Sequence, residues 1–327
     1  MKIEKKKLAE IAPLWRELLS ENIRISPYMN IDFIRIYKRT MMFGRRRWKG
    51  RLNFYVCSLE KIQVICPIVE IGKNAYIAGD LCATGYLDFI YPKEIKKEDF
   101  SRVFQLLGQK LRGKTLWINK INQASQMNEW LLENAECIDK QVCVSIRIPE
   151  DITDYYNSLS KSVRQNYRTS KNRMKRENLA WNVAVFERID TSIFEKTMDV
   201  YIQREAEREN REISFAQRII QKYCNPISIY LCKAQKAFTA VLYIDGNVAG
   251  FLSGLVTEDN QTLVIPRLAI DTKYAVYSPG TVLIYETIDR LIKTSMVRNF
   301  DLSRGNEHYK FAMGGKEHFN YNYKICY

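Results

Sequence analysis

One stretch, Tyr277-Ser278-Pro279-Gly280-Thr281-Val282, narrows the possible folds of this chain more than any other. Pro279 suits the first turn of a helix, where its missing N–H would have no partner anyway, and Ser278 reads as the N-cap. Leu283, Ile284, Ile288, Leu291 and Ile292 then recur at helical spacing as far as Lys293, so the helix packs on a sheet. Before it, Val264, Ile265, Leu268, Ala269 and Ile270 predict a buried strand running into Asp271-Thr272-Lys273. After it, Phe300 and Leu302 alternate with Asp301 and Ser303 as in a strand, and Arg304-Gly305 makes a second glycine turn. The amides of Gly280, Thr281 and Val282 are expected to point out of the positive end of the helix, where Gly280 has no side chain to hold a phosphate away. A capped helix with no ligand satisfies the same tripeptide. The neighbouring strand ends shift the balance, because open sheets place ligands there. His308, Tyr309 and Lys310 follow the second turn and bring groups that exchange protons or bind anions.

At 327 residues the chain has room for two domains, and 46% hydrophobic residues supply ordinary cores. A net charge of +14 permits nucleic acid, anionic lipid or a phosphorylated small molecule as partner and selects none of them. The eight cysteines form no C-x-x-C pair and there are two histidines, so no metal site is expected and the thiols read as reduced residues of a cytoplasmic protein. No run approaches the length of a membrane span, and the lysine-rich start lacks the apolar segment of a signal peptide.

Taken in order, residues 5–21 predict a helix, followed by a basic loop at Arg45-Arg46-Arg47-Trp48. Short strands are expected at 54–57, 64–69, 75–78 and 87–91, then helix 97–111, strand 115–118, helix 127–134 and strand 142–146. The boundary is placed at Pro149-Glu150-Asp151, giving a domain of residues 1–150 and a second of 151–327. The second half begins with a long helical signal, 151–177, whose Lys161, Arg164, Arg168, Lys171 and Lys175 form one cationic stripe. These cations repel one another, so the stripe is either a solvated face or a seat for an acidic ligand. A strand at 181–186, helices at 191–208 and 214–223, and strands at 228–233, 237–244, 248–256 and 262–270 are expected before the opening motif, with a last strand at 319–327. Both halves run from antiparallel strands into a helix and a further strand, which suggests a duplicated fold.

This order resembles the GNAT acyltransferase superfamily, and within it the tandem-domain branch of cellulose-biosynthesis-type acetyltransferases and Fem-like transferases. The resemblance rests on Leu159 to Arg168, Asp245-Gly246-Asn247-Val248-Ala249-Gly250, Asp271 with Ser278-Pro279-Gly280, and Asp301 with Gly305, Tyr309 and Lys310. In the first half it rests on Gly79-Asp80 and Tyr86-Leu87-Asp88. The superfamily's acyl-CoA loop, Gln/Arg-x-x-Gly-x-Gly/Ala, is replaced here by Ser-Pro-Gly-Thr. The resemblance implies an α+β chain of two tandem GNAT-like domains, each a mixed, mostly antiparallel sheet flanked by helices, with the first degenerate and supporting or acceptor-binding. It implies acyl transfer from acetyl-CoA or another acyl-CoA to a small-molecule amine, such as an amino sugar of polysaccharide biosynthesis. Asp271, Asp301 and His308 are the candidate bases, and Tyr309 the acid for the leaving thiolate. Ser278, Gly280, Thr281, Val282, Arg304 and Lys310 are the candidate cofactor contacts, and Arg164 and Arg168 the candidate substrate contacts. Two other readings stay open: a Fem-like transferase drawing on aminoacyl-tRNA, and a non-catalytic module for nucleic acid or another anion.

Overall fold

The computed structural model of the chain describes residues 1–22, 26–41 and 49–327; the Arg45 to Trp48 run lies outside the described residues. Two compact units emerge, Met1–Val142 with His318–Tyr327, and Cys143–Glu317. The first unit contains β1 (Lys2–Lys6), α1 (Leu8–Glu21), α2 (Ile31–Thr40), β2 (Arg51–Ser58), β3 (Gln63–Ile71), β4 (Asn74–Ile77), α3 (Lys97–Lys110), β5 (Thr115–Asn122), α4 (Gln126–Asn134) and the start of β6 (Glu136–Arg147). The second takes the rest of β6 and adds α5 (Ile152–Ser158), α6 (Lys161–Arg176), β7 (Trp181–Phe186), α7 (Thr191–Arg208), α8 (Phe215–Ile219) and α9 (Pro226–Lys233). It continues with β8 (Ala237–Ile244), β9 (Asn247–Val256), β10 (Thr262–Ile270), α10 (Pro279–Thr294), β11 (Asn299–Arg304) and α11 (His308–Ala312). The last strand, β12 (Lys316–Cys326), returns to the first unit, where Asn320 pairs with Asn122 and Cys326 with Thr115 of β5.

Each unit shows the same logic. In the first, β2, β3 and β4 form an antiparallel meander, α3 crosses over, and β5 lies parallel to β4. In the second, β8, β9 and β10 form the meander, α10 crosses over, and β11 lies parallel to β10. A parallel neighbour demands such a crossover, and a helix with one apolar stripe is the shortest way to supply it. The stripe of α10, with Val282, Leu283, Ile284, Ile288 and Leu291 fully buried, packs on Phe238, Ala240, Leu242 and Leu252 of the meander.

Four expectations change. The 87–91 run forms only isolated bridges, Ile90 to Ile65 and Leu87 to Ile121, and no strand. The 228–233 run is helical, because Pro226 occupies the first turn and the Asn225 side chain accepts from the Ile227 amide, starting a helix where apolar content alone suggested a strand. The 151–177 signal is two helices, divided where Ser160 caps α6 by accepting from the Val163 amide. The division between units falls at Val142/Cys143 rather than at 150, and residues 318–327 pack with the first unit because their strand pairs with β5.

Candidate active site

The second unit carries a cleft of about 470 Å³ where the C-terminal end of β10 meets the start of α10. Leu268, Ala269 and Ile270 form its floor, Ser278, Pro279, Gly280 and Thr281 one wall, and Arg204, Glu205 and Arg208 of α7 the facing wall. Glu307, Tyr309 and Met313 close it from the side of α11. The sheet opens here. β10 and β11 pair from Thr262↔Asn299 only as far as Val264↔Asp301, after which β10 runs on to Ile270 and β11 to Arg304 unpaired with each other. A bulge in β10 between Val264 and Arg267 adds to the divergence. At Gly254 on β9, a Cβ would stand 2.5 Å from the Val264 carbonyl oxygen, so the absence of a side chain lets the bulged strand pass.

The start of α10 departs from the expected geometry. Ser278 is left-handed, with φ 46° and ψ 53°, and its hydroxyl donates to Asn166 Oδ1 at 2.8 Å instead of capping the helix. Its carbonyl accepts from both Thr281 (3.0 Å) and Val282 (3.2 Å). Val282 is the fifth residue counted from the cap, so its amide belongs to the first regular helical bond, and its side chain is fully buried in the core. It drops out as a ligand contact. Gly280 is the one of the three whose N–H enters no hydrogen bond among the described residues. A Cβ on Gly280 would meet only Ile270 Cγ2, at 3.8 Å, so the space over its backbone belongs to the cleft.

The other candidates fall into two groups. Tyr309 lines the cleft, and burial, with the Glu307 carboxylate adding to it, pushes its hydroxyl pKa well above the ordinary phenol value. It therefore stays protonated and able to donate. Lys310 does not face a ligand. It is 3% exposed, its Nζ donates to the carbonyls of Arg304 (2.7 Å) and Gly305 (3.3 Å), and it pairs with Glu307 at 3.0 Å, pinning the loop after β11. Arg304 and His308 are exposed and line no part of the cleft. Asp271 caps the turn after β10, accepting from the Lys273 amide at 3.0 Å. Asp301 is buried at the point where the strands part and accepts from the Ser303 amide at 2.7 Å. Arg164 and Arg168 lie 5.7 Å and 5.2 Å from the Tyr156 ring, away from the cleft wall.

Sequence reasoning did not reach Arg204, Glu205, Arg208 or Glu307. Their spacing of i, i+1 and i+4 on α7 is a faint signal; only tertiary folding brings that helix end opposite Gly280. Burial raises the Glu307 pKa, but the Lys310 ammonium, with Arg208 more weakly, outweighs it and holds the carboxyl below its ordinary value. The cationic stripe of α6 is partly offset by a tertiary contact, in which Lys171 pairs with Glu286 at 3.3 Å.

At the matching place in the first unit, β4 and β5 pair from Asn74↔Thr115 as far as Tyr76↔Trp117, and other groups follow. Lys120, on β5, pairs with Asp80 at 3.5 Å and donates to the carbonyls of Asp80 (2.7 Å) and Cys82 (2.8 Å), and Leu87 bridges to Ile121. The first turn of α3 carries Glu98 and Asp99 where α10 has Gly280, so acidic side chains already occupy the helix's positive end.

Meander, crossover helix, parting parallel strands and a helix start at the opening define a GNAT-type transferase fold, present twice in tandem. Residues 161–311 match the acetyltransferase (GNAT) domain family. Among solved structures the chain is similar to FemX (TM-score 0.61, 8% identity, 98% of this chain and 97% of that one). It is also similar to a tandem GNAT protein from the clavulanic acid biosynthesis pathway (TM-score 0.56, 9% identity, 99% and 98%). A third likeness is to L-PGS from Bacillus licheniformis (TM-score 0.53, 12% identity, 88% and 90%). At these identities the likeness is one of fold. A search of the curated proteins returns no match.

Proposed function

We propose that the second unit transfers an acyl group from an acyl-CoA thioester to a primary amine, and that the first unit supports it. The observation that carries this reading is the cleft itself, in which a glycine-bearing helix start and a protonated tyrosine meet where β10 and β11 part. Gly280 leaves its backbone open to a phosphate of the donor, and the thioester reaches from there into the opening between the strands. The amine enters past α7. Glu205 and Glu307 hold it as the ammonium, and it loses its proton to solvent or carboxylate before its nitrogen attacks the thioester carbonyl carbon. As the C–N bond forms and the C–S bond breaks, Tyr309 gives its hydroxyl proton to the departing thiolate, and the proton shed by the new amide nitrogen, passed through solvent, restores the phenol. Positioning in the cleft supplies most of the acceleration. Asp301, set at the point of divergence, fixes the loop of Ser303 and with it the place of α11.

An amino sugar is one acceptor consistent with the family's company. The FemX likeness supports a second reading, in which the donor is an aminoacyl ester on tRNA. Thermal melting with acetyl-CoA, free CoA and tRNA separates the two, because a ligand bound only by the folded state raises the transition. Stabilisation by CoA species supports acyl-CoA as donor. Stabilisation by tRNA alone replaces it with the second reading, and no response to any of them removes both.

A further inference from the structure

Arg267 lies on β10 three residues past Val264, the last residue that β10 pairs with β11. It is 4% exposed, and a guanidinium cannot shed its proton to escape burial. Its Nη1 reaches the Pro266 carbonyl at 3.3 Å and its plane lies 4.6 Å from the Tyr201 ring, yet its Nε has no hydrogen-bond partner and, among the described residues, it joins no ion pair. Ser253, directly across on β9, spends its hydroxyl on Thr239 at 2.9 Å. On the far side of the opening the buried Ser303 hydroxyl is likewise without a partner. A buried, uncompensated cation is among the costliest arrangements a fold can retain, so an anion is the missing component.

We propose that Arg267 receives the carboxylate of a ligand lying between the parted strands. Tyr201, on which it stacks, precedes Arg204, Glu205 and Arg208 on α7 by three, four and seven residues, so the guanidinium packs on the helix face that carries these cleft residues, and on β10 it directly precedes Leu268 of the cleft floor. One guanidinium matches the single charge and planar fork of a carboxylate; a phosphate dianion would leave charge uncompensated. The carboxylate belongs either to the acyl group, as in the thioester of a dicarboxylic acid, or to the amine acceptor, as in an amino acid. This rests on the acyl-transfer reading of the cleft.

The test uses the full chain and its Arg267→Met variant, with calorimetric binding of acetyl-CoA, succinyl-CoA and malonyl-CoA, and of amino acids in the presence of CoA. The apo variant is expected to melt at or above the wild-type temperature, since an unpaired buried charge is gone. Carboxylate-bearing ligands are expected to bind it at least about tenfold more weakly while acetyl-CoA binds both proteins alike, as befits a lost charged hydrogen bond. Loss confined to the CoA thioesters of diacids assigns the carboxylate to the donor, and loss confined to amino acids assigns it to the acceptor. A variant melting several degrees lower makes the guanidinium structural and overturns the proposal, as does a panel in which no carboxylate distinguishes the two proteins. If no CoA species binds wild type but an amino acid does so through Arg267, the donor reading fails and this site stands.

Discussion

Three residues carry separable predictions. Tyr309→Phe keeps the ring packing and removes the proposed proton donor, so kcat is expected to fall at least about a hundredfold with KM little changed, the lower range for a lost general acid. Steady-state kinetics with an acyl-CoA and a panel of primary amines check this, and wild-type kcat in the variant removes the role. Lys310→Met tests the opposite expectation: a buried ammonium tied to three loop carbonyls holds structure, so denaturant melts should show a loss of about 1–3 kcal/mol, the order for leaving buried acceptors without a donor. Asp88, in the first unit, is 5% exposed, and burial lifts its pKa to about 7 despite hydrogen bonds from Tyr91 and the Phe89 amide. The folded carboxyl binds its proton more tightly than the unfolded one, whose value is 3.8. Its burial is thus harmless below pH 3.8, costs increasingly as pH rises toward 7, and reaches a plateau of about 4 kcal/mol above it. The stability of wild type relative to Asp88→Asn should fall between pH 4 and pH 7 and then level off; a flat difference across that range would contradict the shift.

At the scale of elements, the proposed donor binding rests on the start of α10. Gly280→Val adds side-chain volume to open cleft, with only Ile270 Cγ2 near a new Cβ, and valine is a better helix former than glycine. The fold should be unharmed while acetyl-CoA affinity falls by at least about 1.4 kcal/mol, a factor of ten, read by calorimetry. The glycine and proline of this motif are legible in sequence because their backbone demands are local. The left-handed Ser278 is not, since the Ser278 hydroxyl is drawn to Asn166, a residue 112 positions away. Comparable separations in sequence hide the partners of α6 and its C-cap: Tyr167 donates to Glu286, and Tyr277 to Glu177 at 2.6 Å.

For the whole molecule, the duplicated order of meander, crossover helix and parallel strand was readable because hydrophobic period distinguishes strands from helices without knowledge of neighbours. The return of β12 to β5 was not, since an alternating strand does not say which edge it will join. Tyr323 of β12 is fully buried in the first unit and donates to Asn128 at 2.6 Å. Removing residues 318–327 should therefore expose β5 amides to hydrogen exchange and lower the first unit's melting temperature; unchanged protection of Leu116 and Ile118 would refute that dependence. By itself the sequence determined most of the elements, their order and the glycine-bearing helix start, because propensity, capping and periodicity act over a few residues. Only the tertiary structure decided which charges face the cleft, sending Lys310 into the loop and bringing Arg204, Glu205, Arg208 and Glu307 to the wall. Side-chain direction at a strand end depends on where two strands part, and that is set by packing between segments far apart in the chain.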